Sequence, residues 1–150
     1  ATGLRSFLSE PLRVAPARAE MVVRPPGGAP VRLSRTERTV VEIPIPVERD
    51  GWYALDVRYA NGNGPVNTDG KAAVRTLLVD GAEAGVLVMP QRGVDAWDDW
   101  GWSNPVVVRL AAGARRVAIE YRPLDANMDL RVNEALLREV RVSRLAREPR

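Results

Sequence analysis

Between Gly51 and Asn61 the side chains alternate with a strict period of two. Tyr53, Leu55, Val57 and Tyr59 fall on one side of an extended chain, and Asp56 and Arg58 on the other. A helix, with 3.6 residues per turn, would mix these sets; only a strand separates them. A strand with one apolar face belongs to a sheet whose inner surface must be covered by a second layer. The period recurs downstream. Val41, Ile43 and Ile45 alternate, but Pro44 and Pro46 have no N–H to donate, which confines this run to a sheet edge. Val74–Val79 runs into Asp80-Gly81, a strong hairpin signal, and Gly85–Met89 returns until Pro90 stops it. Val106–Leu110 leads into a turn at Ala112-Gly113, and Val117, Ile119 and Tyr121 alternate up to Pro123. In the last run, Leu136–Leu145, the arginines at 138, 141, 144 and 147 recur every three residues as on a helix. Val140 and Val142 nevertheless share a face, and a strand fits better.

These seven or eight strands, separated by Gly, Pro and Asp turns with no long helix, predict an all-β sandwich or jelly roll. The chain of 150 residues fits one domain. Residues 1–35 are broken by Pro11, Pro16, Pro25, Pro26 and Pro30 and read as a linker with at most one or two short edge strands. The sandwich is expected over 36–147.

Composition narrows the chemistry. There is no histidine and no cysteine, which removes the usual general base, the usual zinc ligands and any disulfide framework. The basic excess is arginine scattered over separate apolar runs, with Lys71 the only lysine and a net charge of +3. A dispersed charge of that size gives no nucleic-acid footprint, so no nucleic-acid partner is expected. No apolar run approaches the ~20 residues of a membrane span, so no membrane partner is expected either. Residues 1–19 lack the apolar region of an export signal; the chain follows such a signal, was never exported, or is a piece of something longer.

Two long connections carry the interest. Asn61–Lys71 crowds three asparagines, three glycines and an aspartate into eleven positions. Asparagine pairs a donor with an acceptor, suiting adjacent sugar hydroxyls, and Asn63, Asn67 and Asp69 are the candidates. The plainer reading is a solvated loop of Asx turns. The second connection, Gln91–Asn104, holds three of the four tryptophans in six positions. An indole face stacks on the C–H face of a pyranose while nearby amides and charges take its hydroxyls. Trp97, Trp100 and Trp102 beside Gln91, Arg92, Asp98, Asp99 and Asn104 offer that chemistry. The plainer reading is a small core pinning the loop. Asp98 and Asp99 do not read as a catalytic pair, because glycosidase carboxylates flank the scissile bond and sequential neighbours diverge. A third polar patch, Asp125–Asp129 with Val132–Glu134, precedes the last strand. Asx turns account for it, and a ligand or calcium role would need convergent oxygens.

The run Gly51-Trp52-Tyr53-Ala54-Leu55-Asp56-Val57-Arg58-Tyr59-Ala60-Asn61-Gly62 resembles a strand of carbohydrate-binding modules of families 6 and 35. The order of later features is similar: the turn Val79-Asp80-Gly81, the Trp97–Trp102 loop, Val108–Gly113, and an asparagine before the final strand. The resemblance covers roughly 36–145. It implies a galactose-binding-like jelly-roll β-sandwich of seven to nine antiparallel strands, non-catalytic and appended to a bacterial glycoside hydrolase. By resemblance, the tryptophan loop forms the aromatic part of a sugar site, and Asn127 or Asn133 supplies its asparagine. The implied partners are an oligo- or polysaccharide and the catalytic domain of a parent enzyme, in a secreted or periplasmic setting. The one metal implied is a structural calcium. The family's calcium-holding segment is represented here by Ala19-Glu20, and its aspartate in the last strand by Arg138 or Glu139. The Asn61–Lys71 loop and the Pro90–Gly93 step are also similar to β-sandwich domains of some large bacterial glycosidases, where the sandwich packs on the catalytic domain.

Overall fold

Strand β4 (Gly51–Ala60) sits inside the larger of two sheets, and its alternation is the one read from the sequence. Tyr53, Leu55, Val57 and Tyr59 point into the core. The computed structural model describes residues 16–65, 70–127 and 129–148, and the side chains of 16–20 lie outside that description. In chain order the other strands are β1 (Pro16–Val23), β2 (Val31–Leu33), β3 (Val40–Val47), β5 (Asn63–Gly64), β6 (Ala73–Val79), β7 (Ala82–Met89), β8 (Gly93–Val94), β9 (Gly101–Trp102), β10 (Val106–Leu110), β11 (Gly113–Glu120) and β12 (Ala135–Leu145). Every pairing is antiparallel.

One sheet runs β1-β12-β4-β10, with β2 continuing β1 along β12 and β9 continuing β10 along β4. The other runs β3-β11-β6-β7. Their facing sides supply one core, with Ile43, Ile45, Leu55, Val57, Leu77, Leu87, Val117, Ile119, Leu137 and Val142 all but sealed from water. Each such side chain contributes ~1.5–3 kcal/mol of burial free energy. The expected all-β jelly-roll sandwich is what the chain forms. Among the described residues the only helix is a single 3-10 turn, Pro123–Asp125.

Local chemistry explains the strand boundaries. Asp80 and Gly81 both adopt positive φ, 49° and 86°, the geometry of a two-residue type I′ hairpin between β6 and β7. The Asp80 carboxylate then accepts from the Arg116 N–H and the Arg115 guanidinium, tying the turn to β11. β3 is an edge strand, as its prolines require. The Tyr121 N–H donates to the Thr39 carbonyl at 2.8 Å, which fixes the odd-numbered residues as the bonded positions. Pro44 and Pro46 therefore fall where a backbone N–H would point away from the sheet. β12 carries a bulge between Leu137 and Glu139, which lets Leu137 and Val140 both face the core.

The first 35 residues supply more of the sheet than a linker would. β1 spans eight residues against β12, and β2 pairs with the start of the same strand. These are the one or two edge strands expected there, but β1 is long, and the sheet begins upstream of residue 36. The prolines at 25, 26 and 30 sit in the turn between them.

One polar cluster closes the end of the sandwich where β6 starts and β12 begins. Arg75 is fully buried. It donates to the Asn133 side-chain oxygen, the Asn133 carbonyl and the Val74 carbonyl, and lies 5.1 Å from the Tyr121 ring centroid. Burial pulls its pKa down to about 10, with Asp125 and Tyr121 partly opposing the shift. The guanidinium is thus charged at neutral pH and relies on these acceptors. Asn133 also accepts from the Val74 N–H and donates to the Asp125 carbonyl. Asn133→Ala leaves a buried cation short of an acceptor and should destabilise the fold by about 2–4 kcal/mol in chemical denaturation. A loss under about 1 kcal/mol would show that the cluster is not needed.

Candidate functional site

Three connections, residues 61–72, 90–100 and 121–134, leave the strands at that same end. The first two are zipped together. Asn63 and Gly64 pair with Val94 and Gly93, the Arg92 N–H donates to the Asn61 carbonyl at 2.8 Å, and the Asp95 N–H donates to the Gly62 carbonyl at 2.9 Å. The fully buried Asn61 amide organises the junction. Its nitrogen donates to the Lys71 and Met89 carbonyls, and its oxygen accepts from the Asn63 backbone and side-chain N–H groups. Gly62 makes the close approach possible, since a Cβ there would stand 2.7 Å from the Ala96 nitrogen and 2.8 Å from Trp97 Nε1.

None of the three loop tryptophans is buried under the sheets. Each takes an arginine instead. Arg32 lies 5.2 Å from the Trp97 ring centroid and Arg138 lies 5.1 Å from that of Trp100. Trp102 has Arg141 at 3.9 Å and Arg58 at 5.9 Å. Such contacts are worth ~0.5–1 kcal/mol each at exposed sites. The arginines read from the sequence as a solvated surface are in part the supports of the tryptophan loop.

A cleft of about 590 Å³ opens where this end of the sandwich meets the β7 edge, lined by Tyr59, Val88, Pro90, Gln91, Arg92, Trp102 and Asn104. The indole of Trp102 is 38% exposed and, with Val88 and Pro90, provides apolar wall. Arg92 is the charged group of the lining; its Nε donates to the Asp99 carbonyl and its Nη2 lies 3.3 Å from the Asp99 carboxylate. The Tyr59 hydroxyl donates to the Pro90 carbonyl. Burial raises its pKa, with Arg92 opposing, so it stays protonated as a donor. An apolar wall beside an amide and a guanidinium suits a ligand with one C–H face and several hydroxyls.

Of the residues singled out in the sequence, Gln91, Arg92, Trp102 and Asn104 meet at this cleft. The Asn104 amide is engaged by the β7 edge, accepting from the Val88 N–H and donating to the Val86 carbonyl. Asp99 contributes by holding Arg92, while Asp98 is exposed beside it. Trp97 and Trp100 stand apart from the lining. Asn63 spends its amide on Asn61 and the Glu134 carbonyl. Asn127 donates to the Ala72 and Val132 carbonyls. Asn133 is 1% exposed inside the Arg75 cluster and offers a ligand no surface, which corrects its nomination. Asn67 and Asp69 lie outside the described residues. For calcium, no three acidic side chains converge among the described residues, and the Glu20 side chain is not described. Sequence reasoning missed Tyr59, Val88 and Pro90. Tyr59 has the signature of a core residue, and only its hydroxyl at a strand end hints at a second role.

No family model and no curated protein matches the sequence. Solved structures do. A family 35 carbohydrate-binding module from Clostridium thermocellum is similar over 69% of this chain and 68% of its own, with a TM-score of 0.52 and 18% identity. The fold is that of a family 35 carbohydrate-binding module. Similar structures also occur within longer proteins. A cycloisomaltooligosaccharide glucanotransferase from Paenibacillus sp., complexed with cycloisomaltoheptaose, is 25% identical over 68% of this chain with a TM-score of 0.54. The GH26-CBM35 β-(1,4)-mannanase of Podospora anserina is 12% identical over 89%, with a TM-score of 0.58. The chain spans 13% of the glucanotransferase and 29% of the mannanase.

The zipped loops can be tested through two glycines. A Cβ at Gly62 strikes backbone and an indole, so Gly62→Ala should cost about 1–3 kcal/mol in denaturant unfolding. At Gly101 the three atoms nearest a Cβ all belong to the guanidinium end of Arg92, which can swing aside, so Gly101→Ala should cost less than half as much. Equal costs would contradict the close approach at Gly62.

Proposed function

We propose that the chain is a non-catalytic carbohydrate-binding module and that the cleft beside Trp102 is its glycan site. The observation that carries this reading is a part-exposed indole set in an open cleft, with Gln91 and Arg92 in the same lining. The pyranose C–H face would lie on Trp102, and the hydroxyls would be taken by the Arg92 guanidinium and the Gln91 amide. The setting would be that of the family 35 fold elsewhere: a module attached to a glycoside hydrolase-type enzyme, secreted or periplasmic, concentrating that enzyme on its polymer. Affinity would be modest, because water competes for every hydroxyl in so open a cleft.

A second reading has an observation of its own. Val94, Leu124 and Leu130 project from the zipped loops and the 121–134 connection at 64%, 96% and 74% exposure. Apolar side chains so placed would pack against a catalytic domain, making the sandwich an accessory element of a larger enzyme.

Isothermal titration with isomaltoheptaose, β-1,4-mannohexaose and xylohexaose separates the two. The first reading predicts binding to at least one of them, weakened at least about tenfold, or ~1.4 kcal/mol, by Trp102→Ala and left unchanged by Trp97→Ala. Silence across the panel would favour the accessory reading, and full binding by Trp102→Ala would refute the Trp102 site.

A further inference from the structure

Among the arginines that lie over the loop tryptophans, Arg141 is held differently. Arg32 and Arg138 stand 3.7 Å and 3.8 Å from their nearest carboxylates, Glu134 and Glu139, beyond hydrogen-bond reach. Arg141 instead donates from Nε to Asp56 Oδ1 at 2.9 Å and from Nη2 to Asp56 Oδ2 at 2.5 Å. The two residues are direct cross-strand partners on β12 and β4, and Asp56 is only 7% exposed. A two-point fork of this kind fixes the plane of the guanidinium as well as its position. The Arg141 Cζ lies over the Trp102 ring, 3.9 Å from the centroid.

The backbone on either side of the ring is also fixed. Trp102 pairs with Arg58, the Ser103 N–H donates to the Val57 carbonyl, the Val57 N–H donates to Ser103 Oγ, and the Asn104 amide grips β7. What remains free is the rotation of the indole about its two side-chain bonds. Arg58 also lies over the ring, but farther off, at 5.9 Å from its centroid.

We infer that Arg141, locked by Asp56, is a positioning residue that sets the angle of the Trp102 ring at the cleft. The inference rests on the glycan reading of that cleft for its consequence, but not for its geometry. With one face of the ring occupied by the guanidinium, the ring is ordered before any ligand arrives, and binding need not immobilise it. Lysine at 141 keeps the charge opposite Asp56 but has neither the fork nor the flat face, so charge alone cannot replace arginine here.

The test uses the protein labelled with 5-fluorotryptophan, whose four tryptophans give four fluorine resonances. That of Trp102 is identified by its absence in Trp102→Phe. In Arg141→Lys the Trp102 resonance should shift and broaden while Trp52, Trp97 and Trp100 hold their positions, which also shows that the variant is folded. Asp56→Asn should move the same resonance in the same direction. Isomaltoheptaose affinity, read by titration, should fall about tenfold in Arg141→Lys. A Trp102 resonance unmoved in both variants would overturn the inference, as would a moved resonance with unchanged affinity. A wild-type protein that binds no isomaltoheptaose while its Trp102 resonance still responds to Arg141→Lys would leave the positioning intact and refute the glycan reading for this sugar.

Discussion

A side-chain amide has two donor hydrogens and two acceptor lone pairs, and in Asn61 all four are used inside the protein. They reach the Lys71 and Met89 carbonyls and two groups of Asn63, joining the end of β4 to the start of β6 and the end of β7. The Asn61 backbone carbonyl adds Arg92. The two long loops, which leave one end of the sandwich, are held together at their roots by this residue. Without it, the Lys71 and Met89 carbonyls and two N–H groups of Asn63 would each lose a hydrogen bond. The cleft depends on it at one remove, because Pro90, Gln91 and Arg92 follow directly on the strand end that Asn61 grips.

Arginine does the corresponding work for the tryptophans. A flat, delocalised cation can stack on an indole while its edge stays hydrogen-bonded, which an ammonium cannot do. The near-absence of lysine from this chain is consistent with that use. Arg32, Arg138 and Arg141 support one tryptophan each, Arg92 is drawn into the cleft by Asp99, and Arg75 takes the same role in the interior against Tyr121. Each loop tryptophan thus has an arginine over its ring, and Trp102 is in addition 38% exposed at the cleft.

The architecture was legible because it rests on local patterns. Alternation in β4, the prolines of β3 and the Asp80-Gly81 turn each name their own conformation. The proximity of the two loops was also readable, since both interrupt strands that must end on the same side. The N-terminal segment was underread: prolines marked its turns, but β1 is defined by its pairing with β12, some 120 residues away, and long-range pairing leaves little local trace. The site was half legible for a related reason. Residue type brought Gln91, Arg92 and Trp102 to notice, while the resemblance nominated Asn133, whose amide is consumed by a buried arginine. Asn61 passed as one loop asparagine among three. Whether an amide faces a ligand or ties the framework depends on which carbonyls surround it, and those come from other strands. The Arg141–Asp56 support of Trp102 was invisible in sequence because its two halves meet only through the register of β12 on β4.

The central claim is that the glycan contact lies at the Trp102 cleft, on supports that are already in place. Amide and indole chemical-shift mapping during titration with the best-binding oligosaccharide tests it most directly. Shifts should concentrate on the Trp102 indole N–H, Gln91, Arg92 and Val88, with the Trp97 indole and Asn133 unmoved. Perturbations confined to Val94, Leu124 and Leu130, or spread evenly with the Trp102 indole silent, would contradict it.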